Sequence, residues 1–447
     1  MTRRLRRAGA FAAVSTLALA APVLGPATAV PFAAIAVAAA FLVDDGPLFE
    51  LFARPGDRQD GRLNGLAGFG FAAAALALLL ALPQAALPVD IFVAALLVLG
   101  FGNLGVEAVR SVRSNSFLAV AGFGAAAVPA AVAGQYFVAI VAGSTAMVDW
   151  STVVLLAVVG TLIAALLREL LYERDDPLVV LSVGLVIWFV DALLGPVPTI
   201  ELLAALVVTV GLGAISYGLG TADVSGMLTG VLLGVVTIVF GGFGWFAVLI
   251  AFFAIGGLAS KFRYEAKLAR GVAEDNDGAR GTGNVLANAG VALLVVVALA
   301  STDWIDPAAT VSLALPFAFA GSLATALGDT LSSEVGCLYD NPRLITTLER
   351  VDRGTDGAIT WQGELAGFVG VGLIGGLSAV ALPVGGAAVD GSLVVAGGIV
   401  AAGGVAGITT DSLLGATLEG DRLGNQWVNF LSTLTGGATS VALAVLL

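Results

Sequence analysis

The chain has 447 residues, 58% hydrophobic and 12% charged, with 59 glycines, no histidine, one cysteine and a net charge of −12. That mix excludes a soluble globular protein, and an acidic chain with only two lysines is no nucleic-acid binder. Cys337 alone cannot close an internal disulfide, there is no Cys/His cluster for zinc, and without histidine any general base is a carboxylate or water. The acidic balance suggests a protein working in concentrated salt, that is, a halophile.

The amino terminus carries Arg3, Arg4, Arg6 and Arg7 ahead of an apolar run with small residues near Ala27 and Ala29. This pattern suits either a retained first span or a cleaved secretory signal. Retention is the expectation, because a second run, 31–43, follows at once and brings the chain back in register. A turn-rich linker, 44–62, leads to further apolar runs of about 17 to 25 residues, each long enough to cross the hydrocarbon core as one helix. About fifteen spans are expected in all.

With the amino terminus cytoplasmic and each run crossing once, all 20 Lys and Arg residues fall on the cytoplasmic side. They cluster at 3–7, 54–62, 110–113, 168–174, 261–280, 343–353 and Arg422, while the turns around Pro88, Trp150, Pro196, Phe243, Trp304 and Pro383 carry none. A single miscounted span would invert every later cluster. The expected fold is therefore all-α, a polytopic transmembrane helical bundle of the cell membrane, with its carboxyl terminus outside. The lipid bilayer is its first partner, and whether copies join in a homo-oligomer stays open.

Two halves differ in character. Residues 1–211 read as a multi-span extension of unknown role with chemically plain loops. Residues 212–447 have longer cytoplasmic loops, in which Gly, Asn, Thr and carboxylates crowd around the few cations.

Four of those loops carry candidate chemistry. The first, 260–290, holds both lysines, and at helical spacing Arg263, Lys267 and Arg270 share one face, a cationic stripe suited to phosphate. Beyond it, Gly278, Gly281 and Gly283 leave amides open beside Arg280, with Asn284 and Asn288 four apart at the next span. Topology anchors and turn formers are the plain alternative. The second, GDTLSSEVG at 328–336, puts Asp329, Ser332, Ser333 and Gly336 on one helix face, with Glu334 pointing elsewhere. An acid near the end of a membrane span must be hydrated, paired or metal-bound, although a helix cap would also account for it.

The third loop, RGTDGAITWQG at 353–363, sets Arg353, Thr355 and Asp356 among glycines that allow close backbone approach, so that Arg353 and Asp356 could hold a nucleotide. An ordinary turn is the alternative there. The fourth, TTDSLLGATLEG at 409–420, opens with Asp411 and is followed by Asn425, Asn429 and Thr433 at intervals of four. Helix packing alone explains such a polar stripe equally well. Together the loops bring three carboxylates (Asp329, Asp356 and Asp411), cations and Gly-backed amides to one membrane face. Those are the parts that phosphoryl transfer uses to hold Mg²⁺ and a triphosphate. No P-loop is present.

At these same loops, from about residue 212 to the end, the chain resembles an integral-membrane family long labelled a domain of unknown function, which includes the plant phytyl-phosphate kinase. The pieces that carry the resemblance are GARG at 278–281, NVLAN at 284–288, GDTLSSEVG at 328–336, RGTDGAIT at 353–360 and DSLLGA at 411–416. That family is more distantly similar to the dolichol kinase, phytol kinase and CDP-diacylglycerol synthase group. The resemblance implies phosphoryl transfer from a nucleoside triphosphate, CTP by the distant analogy, to an isoprenoid phosphate such as phytyl or polyprenyl monophosphate.

On that reading Asp329 and Asp411 would hold Mg²⁺, and Lys261, Lys267, Arg280 and Arg353 would balance phosphate charge. Asn284, Asn288, Ser333, Glu334, Thr355, Asp356 and Asn429 complete the candidate substrate and nucleotide set. The isoprenoid tail would lie between helices. Two rivals remain: a transporter, for which midplane acids such as Glu107 and Asp191 would matter, and a CTP-dependent cytidylyltransferase acting on a lipid phosphate.

Overall fold

The computed structural model describes residues 3–171, 176–273, 278–305, 312–383, 392–420 and 422–446. Arg174 and the 274–277 part of the first loop lie outside them. Among the described residues the protein is all-α apart from one two-stranded ribbon, and the chain divides into two compact units, residues 1–203 and 204–447.

The first unit contains α1 (Arg3–Ser15), α2 (Ala21–Leu24), α3 (Ala29–Phe41), α4 (Gly46–Phe52), α5 (Pro55–Asp60), α6 (Asn64–Leu79), α7 (Val89–Arg110), α8 (Ser116–Val141), α9 (Trp150–Leu170) and α10 (Asp176–Leu193). Its core is α7, whose middle, from Ile91 to Gly100, is buried on every side. A helix apolar all round packs among others instead of lying at a surface.

One loop of this unit takes part in a buried ion-pair cluster. Arg54 and Asp176, 7% and 3% exposed, form an ion pair; Arg168 adds a second contact to Asp176 at 2.9 Å. Asp57 accepts the amides of Arg54 and Gly65 at 3.0 and 3.2 Å. A buried carboxylate between two guanidinium groups fixes the linker to the start of α10. The partners lie up to 122 residues apart in sequence.

The second unit begins within α11 (Thr199–Gly218) and continues with α12 (Val224–Gly241), α13 (Phe243–Lys261), α14 (Tyr264–Ala269), α15 (Thr282–Ala300), α16 (Thr302–Ile305), α17 (Leu315–Gly336), the ribbon strands β1 (Arg343–Leu344) and β2 (Ala358–Ile359), α18 (Trp361–Ala381), α19 (Leu393–Leu418) and α20 (Asn425–Leu446). Its hub is α17, which packs against α13, α15, α18, α19 and α20. The core gathers Phe317, Phe319 and Leu323 of α17 with Trp245 and Phe252 of α13 and Ile399 of α19.

Among the described residues, twelve helical stretches are long and apolar enough to cross a membrane. About fifteen were expected, and two features account for the difference. The two leading apolar runs form one helical stretch of 39 residues, Arg3–Phe41, which contains Gly25 at φ +54°. Two more long helices fall outside the twelve: α6 has only 16 residues, and α17 has 22 but carries Asp329 and Glu334.

Candidate functional site

The site is built on three helices whose small residues recur every fourth position. In α17 these are Gly321 and Thr325, in α19 Gly403 and Gly407, and in α20 Gly436 and Ser440. A side chain added at Gly321 or at Gly403 would overlap Ser440, and one added at Gly407 or at Gly436 would overlap Thr325. The helices therefore meet in layers: Gly321 with Gly403 and Ser440, then Thr325 with Gly407 and Gly436. From one layer to the next, α17 and α19 advance together while α20 runs back, so α17 and α19 are parallel and α20 is antiparallel to both. Small residues at this spacing let backbones approach without intervening side chains.

One turn further on, the same register brings Asp329, Asp411 and Ser432 together, and the Asp411 side chain lies within hydrogen-bonding reach of both the Asp329 carboxyl and the Ser432 hydroxyl. The other Asp411 oxygen, Oδ1, is buried without a hydrogen-bond partner. Two carboxylates in contact need a proton or a cation between them. Asp329 and Asp411, far apart in the chain, thus form the centre of the candidate site.

Arg280 reaches α17 beside this centre, at Thr330. Its backbone is held by a bridge to Ala222, with its amide donating to Thr221 O at 3.0 Å and its carbonyl accepting from Asp223 N at 3.2 Å. Asp223 in turn caps α12 through Gly226 N at 2.8 Å, and Ser225 Oγ accepts from Thr282 N at 3.2 Å. The Arg280 side chain is buried, at 7% exposure. Its guanidinium lies 5.6 Å from the centre of the Phe252 ring and donates from Nη2 to Thr330 Oγ1 at 3.3 Å. Thr330 is the residue after Asp329. Gly256 admits this side chain, since a Cβ there would stand 3.1 Å from Arg280 Nη1.

At the start of α15, Asn288 Nδ2 donates to Asn284 O at 3.0 Å, and Asn284 Oδ1 is a second buried oxygen without a hydrogen-bond partner. Gly283 packs against Gln426 of α20.

The expected cationic stripe does not form. The helix α14 is only six residues long, with Arg263 before it in the left-handed region at φ +51° and Arg270 after it. Lys267 turns inward, 1% exposed, to pair with Glu334 and donate to Ala259 O and Ser260 O at 3.1 and 3.3 Å. Arg270 donates to Leu338 O. Glu334 accordingly points into the protein from an unbroken α17, while the hydroxyl of the exposed Ser333 donates to Thr330 O at 3.1 Å. Lys261 stands 5.8 Å from the centre of the Tyr264 ring.

The segment between α17 and α18 folds back as the ribbon, with Arg343 opposite Ile359. Its glycine Gly357, at φ +71°, is pressed onto α19 so closely that a Cβ would overlap Ser412 O and Ala416 N, one turn beyond Asp411. The RGTDG loop is thereby laid over the Asp411 helix. Arg353 pairs with Asp340 on the surface and not with Asp356; Thr355 Oγ1 donates to Asp352 O at 2.8 Å. In α20 the hydroxyl that meets Asp411 belongs to Ser432, whereas Asn429 offers its carbonyl to Ser432 Oγ at 2.9 Å and Thr433 Oγ1 donates to Phe430 O at 2.8 Å.

Sequence reasoning overlooked Ser432, Thr330 and Glu419. The first two sit beside residues it did choose, and only the helical register separates them. Glu419, just past α19, has its carboxyl raised above the usual range by burial and by the Asp356 and Asp411 carboxylates, against a hydrogen bond from Asn425. The folded protein therefore holds this proton to higher pH than the unfolded chain, and its stability declines as pH rises between the two values. Glu419→Gln removes that penalty. In EDTA the variant is expected to melt above wild type at pH 7.5 and together with it near pH 4, where both carry a neutral side chain; equal melting at both pH values would refute the effect.

Residues 207–437 match the family described as Integral membrane protein DUF92. The chain belongs to this family. It is 35% identical over 222 residues to an uncharacterized membrane protein of Methanocaldococcus jannaschii, covering 49% of this chain and 84% of that one. It is 33% identical over 234 residues to protein PGR of Arabidopsis thaliana, covering 50% and 80% of the two chains. Protein VTE6, chloroplastic, of the same plant is 36% identical over 146 residues, 32% of this chain and 43% of that one. No solved structure matches. The DUF92 region contains Arg280, Asp329, Asp411 and Ser432, so the centre of the site belongs to the part that defines the family.

Proposed function

We propose that this protein is a membrane isoprenoid-phosphate kinase of the cell membrane, which transfers a phosphoryl group from a nucleoside triphosphate, with CTP as the first candidate, to a polyprenyl or phytyl monophosphate. The observation that carries the reading is the Asp329–Asp411–Ser432 layer, two carboxylates in reach of each other with an orphaned buried oxygen on one of them. It is supported by the resemblance of the loops to the family that includes the plant phytyl-phosphate kinase.

The donor set fits Mg²⁺. Among the described residues no three Asp, Glu or Cys side chains converge as an all-protein cage, and Mg²⁺ is commonly held by one or two carboxylates together with substrate phosphates and water. Asp329 and Asp411 would hold it, and when bound it would neutralise charge on the transferring phosphate. Arg280 and Lys261 supply further positive charge; Asn284, Asn288 and the Thr355–Asp356 loop surround the nucleotide.

In the reaction an oxygen of the isoprenoid monophosphate attacks the γ-phosphorus of the triphosphate. A new P–O bond forms, the bond to the β-phosphate oxygen breaks, and nucleoside diphosphate leaves with the bonding pair. The attacking phosphate has a second pKa of about 6 and is mostly dianionic at neutral pH, so the reaction needs no strong base and the lack of histidine is no obstacle. Positioning and charge neutralisation are then the protein's contribution.

The test is product analysis with purified protein, radiolabelled geranylgeranyl or phytyl monophosphate, Mg²⁺ and CTP or ATP in high salt. Isoprenoid diphosphate plus nucleoside diphosphate is the expected result. A nucleotide-linked lipid with release of diphosphate would replace the kinase by a cytidylyltransferase, and no product with either donor would overturn the enzymatic reading in favour of transport.

A further inference from the structure

Beside the site lies a groove that the loop motifs do not account for. Its apolar walls are Leu212 on α11, Gly230 and Val231 on α12, and Phe246, Ile250 and Phe253 on α13. The empty space of the groove, counted out to its open side, is about 610 Å³. Along α13 it runs from Phe246 to Gly257, a length of about 16 Å at the helical rise.

Apart from Thr209, whose hydroxyl is taken up by Ala205 O at 2.7 Å, the polar lining lies at one end, at Arg280, Thr221 and Ser216. Thr221 Oγ1 and Ser216 Oγ are 2.7 Å apart, and Lys261 Nζ stands beside Gly220 at the same end. Arg280 is also the side chain that touches Thr330, next to Asp329. One guanidinium thus lines the polar end of the groove and bonds the helix that carries Asp329.

We infer that this groove seats the hydrocarbon tail of the isoprenoid monophosphate, with the phosphate at Arg280 and the chain running along α13 toward Phe246. The assignment rests on the kinase reading for the identity of the substrate, but the groove itself can be tested without turnover. Charge complementarity argues for the occupant: a cation at one end and a long apolar trough behind it match an amphiphile with an anionic head and no other polar group. Width favours a methyl-branched chain, because Gly230 leaves open space where any other residue would project into the trough.

Gly230→Leu is the direct probe. Nothing lies within 4 Å of a Cβ at Gly230, so a side chain starts into open space there, on the lining of the trough, and leucine raises helix propensity in the middle of α12. Gly211→Leu, on α11 and equally unobstructed, is the control outside the groove. The purified full chain is photolabelled with a diazirine-bearing geranylgeranyl phosphate in the absence of nucleotide, and the label is mapped by mass spectrometry.

Label on the lining segments 209–231 and 246–257, competed by geranylgeranyl phosphate, reduced at least tenfold in Gly230→Leu and unchanged in Gly211→Leu, is the expected result. Label elsewhere, or undiminished in Gly230→Leu, overturns the groove assignment, and equal competition by a straight-chain alkyl phosphate overturns its isoprenoid preference. On the same preparation, kinase turnover separates the two readings. Groove labelling without diphosphate product keeps the groove and removes the kinase. Product formation with the C20-over-C10 ratio of kcat/KM unchanged in Gly230→Leu keeps the kinase and removes the groove; the expected change in that ratio is a fall of at least tenfold.

Discussion

Asp329→Asn and Asp411→Asn are each expected to lower turnover by about 10²- to 10³-fold, the scale of losing one group that stabilises charge in a transition state, while the solubilised variants keep their helix content and elution. Asparagine keeps the shape and one acceptor oxygen, replaces the other by an NH₂ donor, and so removes half of the carboxylate pair. It also removes the repulsion between Asp329 and Asp411, so in EDTA each variant should melt no lower than wild type. Added Mg²⁺ should raise the melting temperature of wild type and not of either variant. Full activity in both would take the pair out of the reaction, and a collapsed variant would show that the layer serves folding instead.

The second large effect is expected at Lys267 and Glu334. Removing one partner from a buried ion pair leaves a charge without compensation, at about 3–5 kcal/mol. Lys267→Met and Glu334→Leu should therefore each fall by that order in detergent unfolding, whereas the double variant, apolar and of similar volume, should recover most of the loss. Single-variant losses under about 0.5 kcal/mol, the size of ordinary surface substitutions, would contradict this. The folded double variant also settles what the lysine is for: full turnover assigns the pair to the scaffold, and a raised KM for nucleotide returns it to the site.

The membrane class was legible in composition and run length alone, because an apolar helix carries its environment in its own side chains. The candidate loops were legible in part for the same reason: an acid at the end of an apolar run, as at Asp329 or Asp411, demands an explanation wherever the helix packs. Pairing between distant positions was not legible. Lys267 reads as a surface cation at helical spacing with Arg263 and Arg270, and only the tertiary fold turns it toward Glu334, 67 residues away. Arg54 and Asp176 escaped for the same reason.

One signal was present and went unused. The segments from 321 and from 403 share the pattern Gly, then Thr or Gly, then Asp at intervals of four, and in both the Asp is followed by a hydroxyl residue and leucine. Taken together they give the register in which α17 and α19 meet. Span number was less legible, since Arg3–Phe41 contains two apolar runs within one helical stretch.

The layered contact of α17, α19 and α20 also bears on how the protein responds to its bilayer. A membrane that is too thin or too thick is accommodated mainly by helix tilt, at a fraction of a kcal/mol per Å of mismatch. Helices separated by long side chains can tilt one by one, each changing its spacing to the next. Here Gly321, Gly403, Gly407 and Gly436 leave no such cushion, so the three helices tilt as a block. The separation of the Asp329 and Asp411 carboxylates, one turn beyond the last of those contacts, is consequently insulated from membrane thickness.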